Sequence, residues 1–104
     1  MMMGGKKTIP EKSTVVVDFD GTLCEETGTY IIHTLVPIKN NINKLKKLKE
    51  KRCRIIVYTA RPWTDYTPLR DWLDMYQVPY NLLVMGKVRG DYYLDVTSIR
   101  PEEI

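Results

Sequence analysis

The chain has 104 residues, with 16 Lys+Arg against 13 Asp+Glu and a formal net charge of +3. That length suits one small domain that can bury a core without staples, and so mild and mixed a charge does not by itself argue for nucleic acid. With no apolar run of about 18 residues for a membrane span, no apolar stretch in Met1–Lys7 to make a secretory signal, and only two cysteines, Cys24 and Cys53, a reduced cytoplasmic protein is expected.

Residues 1–13 are polar and irregular and read as a mobile arm, leaving 14–104 as a single domain. Thr14–Phe19 is nearly continuous in hydrophobicity, as a strand buried on both faces should be. A long irregular stretch, 20–36, follows, and long loops inside small domains are often functional. Tyr30-Ile31-Ile32 within it suits one arm of a small flap. Over 37–51 the apolar positions Ile38, Ile42, Leu45 and Leu48 recur at helical spacing with lysines between them, so an amphipathic helix is predicted, with Pro37 in its first turn. Its lysines read as the solvated face rather than a nucleic-acid patch.

Arg54–Tyr58 is a second apolar strand. Thr67-Pro68 reads as a helix start, with Thr67 as the cap and Pro68 at the first helical position. Leu69, Trp72, Leu73 and Tyr76 follow on one face, and Val78-Pro79 ends the helix. Trp72 belongs to the core on this spacing. Leu82–Met85 is a third strand and Tyr92–Leu94 a fourth. The β-α-β-α-β order predicts an α/β fold with a parallel sheet of about four strands and right-handed crossovers.

In such sheets, sites form beyond the carboxyl ends of the strands. The residues there are Asp18-Phe19-Asp20-Gly21-Thr22, Thr59-Ala60-Arg61, Gly86-Lys87 and Asp95. Asp18 and Asp20 face one pocket once the strand gives way to a turn, and Gly21 supplies that turn and lets N–H groups approach a ligand. Asp95 completes an all-oxygen set suited to Mg²⁺. Thr59 and Lys87 add a hydroxyl and a point charge for a phosphate. Carboxylates, a hard metal and phosphate donors together fit phosphoryl transfer, where charge neutralisation and positioning do most of the catalysis.

Asp18-Phe19-Asp20-Gly21-Thr22-Leu23 resembles the DxDGT signature of haloacid-dehalogenase-type phosphohydrolases, and Thr59, Lys87 and Asp95 stand in order where that family's later motifs fall. The resemblance spans 14–103. It implies a three-layer Rossmann-like sandwich of a minimal, capless type. It implies Asp18 as nucleophile, Asp20 as general acid and then base, Gly21, Thr22, Thr59 and Lys87 as phosphate-binding residues, and Mg²⁺ held by Asp18, the Asp20 carbonyl and Asp95. Tyr58-Thr59-Ala60-Arg61, Val78-Pro79-Tyr80 and Ile99–Glu103 are similar to small capsule-biosynthesis-type phosphatases. That narrower likeness implies a sugar phosphate, with Arg61 as a substrate-binding candidate; nucleotides and polynucleotide ends are the alternatives.

The pattern departs from the family after Asp95, where a second acid is common and Val96 and Ile99 stand instead. Reading Gly90-Asp91 as the fourth motif is disfavoured, because four residue steps along the strand Tyr92–Leu94 would set Asp91 about 13 Å from Asp95. A catalytically weak or silent binding module is therefore the competing class. A phosphorylated receiver is a poor fit, since its acceptor Asp would end the third strand, where Met85-Gly86 stand. His33 reads as a solvated loop residue and Cys24 as a bystander. Trp63 and Tyr66 suit either a stacking platform or core packing. The expected partner is a small phosphorylated molecule, with a second copy of the chain as a candidate for closing the open site.

Overall fold

β-branched and aliphatic runs form three parallel strands: β1 (Thr14–Asp18), β2 (Arg54–Tyr58) and β3 (Leu82–Val84), in the order β1-β2-β3. The computed structural model describes residues 8–87 and 101–103. The expected strand Tyr92–Leu94 and the candidate Asp95 lie outside the described residues. In register, Asp18 pairs with Tyr58 and Tyr58 with Val84, so the three strands end in one row. Everything that follows this row projects from the same sheet edge. The α/β class and the parallel sheet are as expected.

Helix α1 (Lys39–Glu50) buries Ile42, Leu45 and Leu48 at intervals of three residues. Most of its lysines are exposed, but Lys44 donates to the Pro101 carbonyl at 3.0 Å and Lys49 to Asn81 Oδ1 at 2.8 Å. The helix ends where Arg52 takes a left-handed φ of 62° and the Cys53 N–H returns to the Leu48 carbonyl at 3.1 Å. This return bond satisfies a carbonyl that the last turn leaves without a helical partner.

Helix α2 (Tyr66–Met75) buries Leu69, Trp72 and Leu73, as expected. Both of its ends differ from expectation. The helix is preceded directly by a 3-10 turn over Trp63–Asp65, Asp65 takes the cap position, and no side chain caps it. Thr67 and Pro68 therefore sit inside the first turn, where a proline's missing N–H leaves nothing unpaired. The helix stops before Val78-Pro79 because Gln77 adopts φ 56° and the Val78 N–H returns to the Leu73 carbonyl at 2.9 Å.

Two other readings change. β1 is not buried on both faces among the described residues: Val17 is 8% exposed but Val16 is 56% exposed, the alternation of a strand with one covered side. Residues 9–13, read as part of a mobile arm, pack on the body. Ile9 is buried, the Ile9 carbonyl accepts from Lys51 Nζ, and Lys12 N–H donates to the Lys51 carbonyl. Among the described residues, no helix is long and apolar enough to cross a membrane.

The core lies on the sheet's inner face and runs beneath the strand ends. Phe19, Leu23, Ile55, Val57, Leu69 and Leu73 are fully buried. Phe19 meets Trp72 edge to face at 5.1 Å. The Trp72 indole N–H donates to the Leu35 carbonyl at 3.1 Å, so α2 holds the far end of the 20–36 stretch.

Candidate active site

The first strand end is built by a tight turn. Asp18 closes β1, and buried Phe19 anchors the next step, its N–H donating to the Tyr58 carbonyl at 3.0 Å. The Phe19 carbonyl then accepts from Leu23 N–H at 2.9 Å and Thr22 N–H at 3.3 Å. Gly21 sits at φ 80°, a conformation that strains any residue with a Cβ. Its N–H donates to the Cys24 carbonyl at 2.9 Å. Gly21 and Thr22, expected as phosphate-binding residues, use their main-chain donors to close the turn. The Thr22 carbonyl accepts from Asn41 of α1 at 2.8 Å, which fixes the turn from outside.

Beyond the turn the chain leaves as a closed loop. Short bridges join Cys24 to Asp20 and to Pro37, and Glu25 N–H donates to the Val36 carbonyl at 2.9 Å. The tip, from Glu26 to Tyr30, lies over Asp20. Asp20, Glu26, Thr29, Tyr30, Arg61 and Pro62 line an open hollow there.

Asp20 is the centre of the described site. Thr59 Oγ1 donates to its Oδ2 at 2.9 Å. Arg61 donates to its Oδ1 twice, from Nε at 3.1 Å and from Nη2 at 2.8 Å. The pair is only 12% and 16% exposed, for Arg61 and Asp20. Arg61, expected as a substrate contact, here contacts the acid. Thr59, expected at the phosphate, is fully buried, donates its hydroxyl hydrogen bond to Asp20 and accepts from the Arg61 N–H at 3.2 Å.

Lys87 arrives from the third strand end. Its N–H donates to the Thr59 carbonyl at 2.8 Å, and Gly86 N–H to the Arg61 carbonyl at 2.9 Å. The Lys87 ammonium lies 4.3 Å from the centre of the Tyr58 ring and donates to its hydroxyl at 3.2 Å. The sequence marks Tyr58 only as part of the Tyr58–Arg61 likeness and gives it no role of its own. Asn41 had no signal beyond being a polar residue in the first turn of a helix.

The donor chemistry bears on a metal. Among the described residues no cluster of three or more His, Cys, Asp or Glu stands ready to hold one. Of the acids expected to do so, Asp18 and Asp20 lie at this edge and Asp95 lies outside the described residues. Cys24 offers no thiolate: burial first, then the Asp20 charge, push its thiol up to about 11. His33, exposed in a 3-10 turn, sits on the loop beyond its tip. The groups at hand are hard oxygens, which fit Mg²⁺ in kind.

Comparison with known proteins agrees with this geometry. Residues 15–104 match the model of the haloacid dehalogenase-like hydrolases. A crystal structure from Vibrio cholerae is similar with a TM-score of 0.75 and 28% identity, over 88% of this chain and 85% of that one. A chain of a Pnkp1/Rnl/Hen1 complex is similar with a TM-score of 0.64 and 26% identity, over 82% of this chain but 31% of that one. No curated protein matches the chain. With a family model spanning the sheet and every described strand end, the chain belongs to the haloacid dehalogenase-like hydrolases.

Proposed function

We propose that this hydrolase is a Mg²⁺-dependent phosphomonoesterase that works through an aspartyl-phosphate, with a sugar phosphate or another small ester as substrate. The observation that carries the reading is the meeting of Asp18, Asp20, Thr59 and Lys87 at one sheet edge, with Asp20 held by three donated hydrogen bonds.

In this reading an Asp18 carboxylate oxygen attacks phosphorus and the bond to the leaving oxygen breaks. Asp20 gives that oxygen a proton. Asp20 then takes a proton from water as the water attacks phosphorus, the bond to Asp18 breaks and orthophosphate leaves. Splitting the displacement in two and supplying the proton locally are the accelerating devices. Thr59 turns its hydroxyl from Asp20 to a phosphoryl oxygen, and the Lys87 ammonium moves off Tyr58 to another. Mg²⁺ would be held by the Asp18 carboxylate, the Asp20 carbonyl and Asp95, and would neutralise phosphoryl charge.

Support for a hydroxyl-rich leaving group comes from the hollow over Asp20, whose rim carries Glu26, Thr29 and Tyr30. A nucleotide or polynucleotide end is favoured by one feature. Trp63 is 60% exposed and its ring stacks on Tyr66 at 5.8 Å, beside Gly86 at the site, and such a face suits a base.

The test is phosphate release, with Mg²⁺, from p-nitrophenyl phosphate, sugar phosphates, nucleotides and phosphorylated oligonucleotide ends. Release is expected from the unmodified chain and lost in Asp18→Asn, with the variant's melting curve unchanged. No release from any ester, together with no beryllofluoride adduct on Asp18, would overturn the reading and leave a binding module.

A further inference from the structure

Arg61 touches the segment that follows each of the three strands, and the loop tip as well. Its main-chain N–H donates to the Thr59 hydroxyl, and its carbonyl accepts from Gly86 at the third strand end. Its Nη1 donates to the Thr29 carbonyl at the loop tip at 3.2 Å. Its guanidinium carbon lies 6.0 Å from the centre of the fully buried Phe19 ring. The remaining donors, Nε and Nη2, both end on Asp20 Oδ1.

We propose that Arg61 is the positioning residue for Asp20, holding Oδ1 of the carboxyl group so that Oδ2 carries the proton to the leaving oxygen. The inference rests on the phosphatase reading and deepens it. Two donors on Oδ1 hold the carboxyl group by one oxygen, so that Oδ2 is free to face the leaving oxygen once the Thr59 hydroxyl has turned to the phosphoryl group. The fork is itself immobilised, by Phe19 beneath and Thr29 above. A planar guanidinium can meet these acceptors at once, whereas an ammonium is a single point charge. Removing the fork frees Oδ1, so the Asp20 carboxyl group can rotate out of line with the leaving oxygen. General acid catalysis is sensitive to such a displacement, because an error of about 1 Å can cost roughly 10²-fold.

The role has a signature that a merely structural one lacks. p-Nitrophenolate leaves without a proton; an alkoxide from glycerol phosphate does not. The readout is kcat/KM for the two esters, measured on the same preparation, so the ratio is independent of the folded fraction. In Arg61→Met the alkyl ester is expected to lose roughly 10²-fold and the aryl ester less than about tenfold. Arg61→Lys is expected between Met and the unmodified chain. In an Asp20→Ala background Arg61→Met is expected to change the ratio by less than about twofold, because the two residues act through one group.

An equal loss on both esters, or a rise in KM alone, would overturn the positioning role, the latter in favour of direct contact with the substrate phosphate. An unmodified chain inert toward both esters would overturn the phosphatase reading, and this inference with it.

Discussion

The hydroxyl of Thr59 donates to Asp20 Oδ2 at 2.9 Å from a residue with no solvent exposure. Thr59→Val keeps the shape and removes this donor, leaving a largely buried carboxylate oxygen short of its partner at a cost of about 1–3 kcal/mol. Thr59→Ser restores the donor and is expected to recover most of the loss. Urea denaturation midpoints of the three proteins check this.

Trp72 carries two duties, edge-to-face packing on Phe19 and the hydrogen bond to Leu35. Trp72→Phe keeps most of the first and removes the second, for an expected loss of about 1–2 kcal/mol. Because Leu35 closes the loop over Asp20, protease cleavage within 25–36 is expected to quicken more than the stability change alone accounts for. Mass spectrometry of a timed digest locates the cuts.

Gly21→Ala is expected to destabilise by roughly 1–2 kcal/mol, the cost of holding an L-residue in the left-handed region. An added Cβ would also come within 3.2 Å of Glu26 Oε2. That atom is the end of a flexible side chain and can swing away, so the backbone conformation costs more than the contact. Gly21→Ala/Glu26→Ala, compared with each single change in urea, separates the two: little rescue is expected.

Cys24 makes stability depend on pH on the alkaline side. Its thiol is raised from 9.0 to about 11, by burial first and then by Asp20. A pKa raised by folding means that the folded state favours the protonated form. The contribution is complete below pH 9 and is lost as pH rises from 9 through about 11. Tyr80, raised by burial and then by Asp74, acts in the same sense above its ordinary value of 10.0. Subtracting the urea midpoints of Cys24→Ala from those of the unmodified chain, pH by pH, isolates the thiol. The difference is expected to shrink across that window and to be flat below it.

Much of this molecule is legible in its sequence, for local reasons. Arg54–Tyr58 is bounded as read, since a run of β-branched residues between turn residues admits little else. Ile42, Leu45 and Leu48 mark the face of α1 by period alone. The start of α2 differs because Thr67-Pro68 is equally at home one step inside the first turn, and the 3-10 turn before it carries no composition of its own. Its end differs because Gln77 adopts a left-handed conformation more usual for glycine.

At the site, the strand-end rule brings Asp18, Asp20, Thr59 and Lys87 to one edge. What it does not give is partnership. Arg61 and Asp20 are 41 positions apart and meet only through the path of two loops. The donors of Gly21 and Thr22 escape the rule for a related reason: whether an N–H faces a ligand or closes its own turn depends on backbone angles that a glycine leaves open.

The closed base of the loop over Asp20 gives it a different kind of value. The Glu25–Val36 bond and the bridges at Cys24 join the two legs before they reach the sheet. Lengthening the tip near Gly28, which is exposed and has open space around it, adds loop entropy that grows only logarithmically with length. The strand ends below would feel little of it. The scaffold thus tolerates added chain at one point: residues can be inserted beside Gly28 while the Thr29 carbonyl keeps its bond to Arg61 and the supports of Asp20 stay in place. That makes the 27–28 junction the place at which to insert a new segment over the hollow.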